Sequence, residues 1–136
     1  MVNRMLHPQE IEVFYILPAL RKYLAKYLKE RGLKQKDIAE LLQIESATVS
    51  QYVSEKRANK INFDEQVLLE IKQATAQLTD KVSMMREMQR LLQIVRKTNT
   101  LCKIHRLLSN LPDSCNPTAV GCNVGGELES KTRICN

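Results

Sequence analysis

No apolar run in this 136-residue chain approaches a membrane span. The longest, Val13-Phe14-Tyr15-Ile16-Leu17, falls far short of the ~20 residues a transmembrane helix needs. No signal-peptide apolar stretch precedes a small-residue cleavage site either, so the expectation is a cytoplasmic protein. Histidine is scarce, with only His7 and His105 present. A cysteine hydrolase would have to take its base from that pair, with no oxyanion-hole or pocket signature beside it, so the chain is not read as an enzyme. Glycine and proline are absent between Leu33 and Leu111. That is unusual for a stretch expected to contain several turns. Acidic residues are outnumbered, 15 against 21 Lys and Arg, for a formal charge of +6. That balance suits an anionic partner, either nucleic acid or a membrane surface.

Apolar content is 43% and charged content 26%, the mix of a folded protein with one ordinary core, or one small domain and an appendage. The predicted class is all-α. Pro8 suits the first turn of a short helix that Pro18 is expected to interrupt. A new helix then runs to Arg31, with Leu20, Leu24 and Leu28 on one face and basic residues on the other. Gly32 stops it.

Residues 32–60 organise the chain. Ile38, Ala39 and Leu42 share one face of a short helix opened near Lys34 or Gln35. Ile44 plugs the turn, and Glu45 or Ser46 caps a second helix whose Val49, Tyr52 and Val53 face inward. That leaves Ser46, Ala47, Ser50, Gln51 and Ser54 outward. Short side chains without negative charge can enter a major groove without repelling phosphates. Lys56, Arg57 and Lys60 follow directly, where basic groups reach phosphates and supply affinity rather than sequence choice.

These residues resemble the lambda-repressor-like (XRE-type) helix-turn-helix, in which Gln-x-x-x-Ala opens the first helix and a Thr-Val-Ser run lies in the second. With Leu17-Pro18-Ala19-Leu20-Arg21 and Val49 to Arg57 included, the chain looks like a prokaryotic, largely archaeal, group of regulators with a Cys-rich tail. The resemblance covers residues 10 to 60 and implies sequence-specific DNA binding. Ser46, Ala47, Ser50, Gln51 and Ser54 would face the groove, with Gln35, Lys56, Arg57 and Lys60 on phosphates. Two residues depart from the pattern: Gln43 stands where it has Gly, and Glu45 where it has Ser or Thr. A non-glycine residue can take a left-handed conformation at modest cost.

Beyond residue 61, Asn62 or Asp64 opens a long helical region. Val67, Ile71, Ala74, Leu78, Val82, Met85, Met88, Leu92 and Val95 recur by three or four and form a continuous apolar stripe. Thr79-Asp80 and Thr98-Asn99-Thr100 are the expected breaks. The stripe either folds back on its own domain or forms a homodimer seam. Operator symmetry calls for a two-fold dimer, so residues 62–100 are read as a dimerisation region after a DNA-binding unit at 1–61.

The tail, 101–136, carries all four cysteines, Cys102, Cys115, Cys122 and Cys135. Cys102 and His105 lie three apart, on one side of a helix. Cys-x2-His-x9-Cys-x6-Cys fits no standard zinc finger. Cys102, Cys115 and Cys122, with His105 or Cys135 as a further ligand, can hold an iron–sulphur cluster or structural zinc. The family resemblance implies a cluster or metal sensor, whose state alters the spacing of the recognition helices. Two rival readings stand beside it: a regulator merely stapled by zinc, and an antitoxin-like adaptor whose long helix grips another protein.

Overall fold

Pro18 lies inside a continuous helical stretch rather than at a new start. The computed structural model describes residues 5–109 and 111–115. The chain enters through α1 (Pro8–Ile11), where His7 N–H donates to Glu10 Oε1 over 2.9 Å. It passes through a π-helical turn (Glu12–Ile16) into α2 (Leu17–Glu30). At that turn Leu17 N–H reaches back to Glu12 O, five residues away. The widened turn accommodates a residue that has no N–H and a bulky ring, so the proline is absorbed rather than ending the helix. The Glu12 carboxylate, buried there, takes two bonds from Arg96, Nε at 3.2 Å and Nη2 at 2.8 Å. A buried carboxylate needs such a charged partner.

α2 is the centre of the molecule. Leu20, Leu24 and Leu28 are fully buried, and α3 (Gln35–Leu42), α4 (Ser46–Val53) and α5 (Glu65–Thr75) all pack on it. Its end is a Schellman motif: Gly32 N–H bonds Lys29 O, and Leu33 N–H bonds Leu28 O. Gly32 takes φ +96 there, a conformation glycine adopts without the Cβ penalty.

The long apolar region is two helices, α5 and α6 (Lys81–Lys97), followed by α7 (Thr100–Leu108). Asp64 Oδ1 accepts from Val67 N–H to open α5, and Asp80 Oδ1 accepts from Ser83 N–H to open α6. Arg90 ties the hairpin together, bonding Glu70 Oε2 at 2.8 Å and Glu87 Oε1 at 3.0 Å. Most of the expected stripe is spent within this one chain. Val67, Ile71, Ala74, Leu78, Met88, Leu92 and Val95 are buried in the same cluster as the leucines of α2. Val82 is 73% exposed and Met85 59% exposed. The inward face of α6 runs instead through Met84, Met88, Leu91 and Val95. Burying one such side chain contributes about 1.5–3 kcal/mol, which favours folding back.

α7 packs against α1. Leu101 and Ile104 enter the same cluster, and Leu6 N–H donates to Ser109 Oγ at 2.7 Å. The boundaries expected near 61 and 100 therefore mark no break in the buried cluster of the described residues. Every regular element among them is helical, and no helix is long and apolar enough to cross a membrane.

Candidate nucleic-acid interface

The turn between α3 and α4 is closed by a left-handed glutamine. Gln43 has φ 56 and ψ 45. Its N–H bonds Glu40 O, and Ile44 N–H bonds Ala39 O at 3.0 Å, the Schellman pattern again. Ile44 packs against the core as the apolar member of that motif. Inward, Val49 and Tyr52 are buried and Val53 half-buried. Outward, Ser46, Ala47, Ser50, Gln51 and Ser54 are all exposed. The periodicity of α4 thus sorts its side chains as the sequence pattern expects.

Gln35 takes a different role from the expected one. Its Nε2 donates to both Ser46 O and Ser46 Oγ, each at 2.9 Å. The amide has two hydrogens, and both are used to join the start of α3 to the start of α4. The side chain therefore braces the pair and has no donor left for a phosphate. Neither Lys34 nor Glu45, the residues preceding the two helices, caps with its side chain. Ser46 is the first residue of α4 and spends its hydroxyl as acceptor for Gln35, so it is not a cap either. The first backbone N–H groups of both helices are therefore without a cap side chain, with Asp37 in the first turn of α3 and Glu45 just before α4.

The loop after α4 carries Lys56, Arg57 and Lys60, all exposed. It is shaped by two more left-handed residues, Glu55 and Ala58, both at φ 60. Glu55 N–H bonds Tyr52 O and Lys56 N–H bonds Gln51 O. Three side-chain bonds hold this strained backbone. Lys26 Nζ pairs with Glu55 Oε1 at 2.7 Å, Asn59 donates to Glu55 O, and Lys22 Nζ donates to Asn59 Oδ1 at 3.1 Å. Arg57 Nη1 donates to Gln51 Oε1 at 3.0 Å. The Lys60 ammonium sits 5.7 Å from the Tyr15 ring centroid, a cation–π distance. The bond from Lys26 holds the Glu55 carboxyl below its ordinary range, and the bond to Glu55 raises Lys26. A depressed carboxylate stabilises the loop above its unfolded pKa and loses that contribution as pH falls through the folded value. A raised lysine does the same at the alkaline end, so the pin is intact around neutrality.

Nothing in residue type marks Glu55 or Ala58 as left-handed, because neither is a type that favours φ > 0. The clue is indirect: with no glycine after Gly32 until the tail, any tight stop in between has to use another residue.

The proposed metal ligands are only partly brought together. Arg106, one turn beyond Cys102 on α7, donates to the Cys115 carbonyl and brings that half-buried cysteine back to the helix. Both thiols are free. Burial pushes the Cys102 thiol up, and neighbouring Cys115 adds to this. His105 turns away, 7% exposed, and its Nε2 bonds Leu6 O. A carbonyl only accepts, so Nε2 carries the proton. Cys122 and Cys135 lie outside the described residues. Among the described residues no group of three His, Cys, Asp or Glu side chains is arranged to hold a metal ion. Two thiols are half of what zinc or a cluster requires.

Comparison with protein-family models, curated proteins and solved structures finds no match.

Replacing Gln43 by Gly should raise stability by about 0.5–1 kcal/mol, since the left-handed penalty exceeds glycine's extra unfolded entropy. Gln43→Val should lower it. Thermal unfolding of the two variants checks this, and a lower melting temperature for Gln43→Gly would contradict the turn.

Proposed function

We propose that the chain is a sequence-specific DNA-binding transcription regulator, with α4 as the recognition helix of an XRE-like helix-turn-helix. The observation that carries this reading is the outward face of α4. Five exposed side chains there are small or polar and free of negative charge, with Lys56 and Arg57 at its end. Two carboxylates flank the helix: Glu55, at its end, is paired with Lys26, and Glu45, exposed, precedes Ser46 at its start. The uncapped starts of α3 and α4 add backbone donors for phosphates. In this arrangement Ser46, Ala47, Ser50, Gln51 and Ser54 meet base edges, and Lys56, Arg57 and Lys60 lie along the phosphates.

Gln51→Ala should weaken binding to the preferred duplex by about 1–3 kcal/mol and relax choice at one base pair. Lys56→Ala should weaken binding to all duplexes alike and reduce the salt slope by about one. Fluorescence anisotropy on preferred and scrambled duplexes across salt distinguishes the two. Uniform losses from both substitutions would overturn the assignment of α4 to base reading.

The regulator acts as a homodimer, because a two-fold operator needs two recognition helices one helical turn apart. The core leaves Val82 and Met85 exposed on α6, and these form the seam. Met85→Glu should keep the monomer folded yet abolish the dimer in light scattering. A dimer of undiminished strength would place the seam elsewhere.

The cysteines form the remaining part of the proposal. Cys102 and Cys115, with Cys122 and a further donor such as Cys135, hold an iron–sulphur cluster or zinc that modulates DNA binding. The bound group would lock the tail onto α7 and so onto α1. His105 serves the Leu6 bond instead. Metal analysis of anaerobically purified protein should find iron with sulphide, or zinc, and Cys102→Ser should remove it. Metal-free protein with native thiol reactivity at all four cysteines would end this part of the reading.

A further inference from the structure

Cys102 and Cys115 are brought to one side of α7 by the course of the chain that follows it. Ser109 is buried and fastened to Leu6, so the backbone leaves the helix in a fixed direction. It then turns at Pro112, where Cys115 N–H bonds Pro112 O at 3.0 Å. The returning segment is held down by Arg106, which donates to the Cys115 carbonyl. Arg106 lies four residues after Cys102, about 6 Å along the helix axis and on the same face. Helical side chains lean toward the N-terminus of their helix. The guanidinium therefore reaches back toward Cys102 and carries Cys115 with it.

Electrostatics report the same neighbourhood. Burial pushes the Cys102 thiol up, a charge on Cys115 adds to that, and the Arg106 guanidinium acts the other way. Cys102 thus feels both groups that the hydrogen bond joins. Both thiols are free and half-buried, open enough for a small reagent. Pro112, Asp113 and Ser114 are exposed, so the segment can adjust to the Cα separation of about 4.4–6.8 Å that a disulfide requires.

We propose that Cys102 and Cys115 form a reversible disulfide within the chain, with a small disulfide such as oxidised glutathione as oxidant. The thiolate of one cysteine attacks a sulphur of glutathione disulfide, breaking its S–S bond and releasing one glutathione thiolate. The second cysteine then displaces the other glutathione from the mixed disulfide. The two thiol protons pass to the two glutathione thiolates. The chain is oxidised by two electrons and glutathione disulfide is reduced by two. Closure ties the segment around Cys115 to α7, the helix that packs against α1. It also withdraws two thiolates from any metal, so disulfide and metal-bound forms exclude one another. The pairing needs neither DNA nor metal and stands apart from both parts of the proposed function.

The test uses the full chain, freed of metal by a chelator and equilibrated in mixtures of reduced and oxidised glutathione. Acid quenching and peptide mapping by mass spectrometry should find Cys102 joined to Cys115. At half oxidation, the squared concentration of reduced glutathione divided by that of the oxidised form equals the effective concentration of one thiol at the other. Wild type should give a value about tenfold or more above the millimolar level that a flexible linker supplies. Arg106 is exposed, so Arg106→Ala leaves the core intact and should lower this value by about tenfold. A double variant with Cys122→Ser and Cys135→Ser should close as wild type does. Cys102 or Cys115 joined instead to Cys122 or Cys135 would overturn the proposal. Stable mixed disulfides with glutathione, or a wild-type value at or below the millimolar level, would overturn it equally. Equal values for wild type and Arg106→Ala would do the same, since the fold would not then be what joins the pair.

Discussion

The structure depends on the burial of one row of leucines. Leu20, Leu24 and Leu28 recur at the spacing that puts them on one side of α2, and all are fully buried. α3 and α4 pack on this helix from one part of the chain and α5 from another. Because both groups share that support, α4 keeps its outward face fixed relative to α5 and, through it, to α6. The pair of buried Glu12 with exposed Arg96 adds a polar fastening between the start of the chain and the end of α6. It contributes specificity of arrangement more than net stability, since desolvation of the Glu12 carboxylate offsets much of the attraction.

A second constraint is that the chain makes its tight stops almost without glycine. Gly32 ends α2, but Gln43 and Glu55 occupy the equivalent positions after α3 and α4. Each carries a steric cost of about 1–2 kcal/mol, and the packing around it has to over-determine the conformation. At Gln43 that role falls to Ile44 and the core beneath it. At Glu55 it falls to Lys26, Asn59 and Lys22. The strain is concentrated on both sides of α4, where small errors in backbone direction would displace the outward side chains most.

Much of this was legible in the sequence, for identifiable reasons. Heptad-like spacing in α2, α3 and α4 identified the inward residues, because helical periodicity is a strong signal when one face is buried. Thr79-Asp80 and Thr98-Asn99 mark the ends of α6 because weak helix formers and an Asp cap act locally. Other features depend on tertiary partners and left no local trace. Pro18 is tolerated because the turn before it widens. Met84 and Leu91, not Val82 and Met85, face the core, since spacing alone does not say which of two adjacent stripes meets the rest of the chain. Residue type alone points Gln35 to a phosphate and His105 to a metal, yet their hydrogens go to Ser46 and Leu6. The sharing of Oε1 between Gln51 and Arg57 is also a contact between residues six apart, beyond any helical rule.

The central claim is that α4 and its basic flank form the surface that meets DNA. The most direct measurement is a backbone amide NMR titration of the isotopically labelled protein with a preferred duplex. The account predicts that perturbed resonances cluster at the starts of α3 and α4, along Ser46 to Ser54, and through Lys56 to Lys60. Shifts centred on the outer face of α6, or none at stoichiometric duplex, would contradict it.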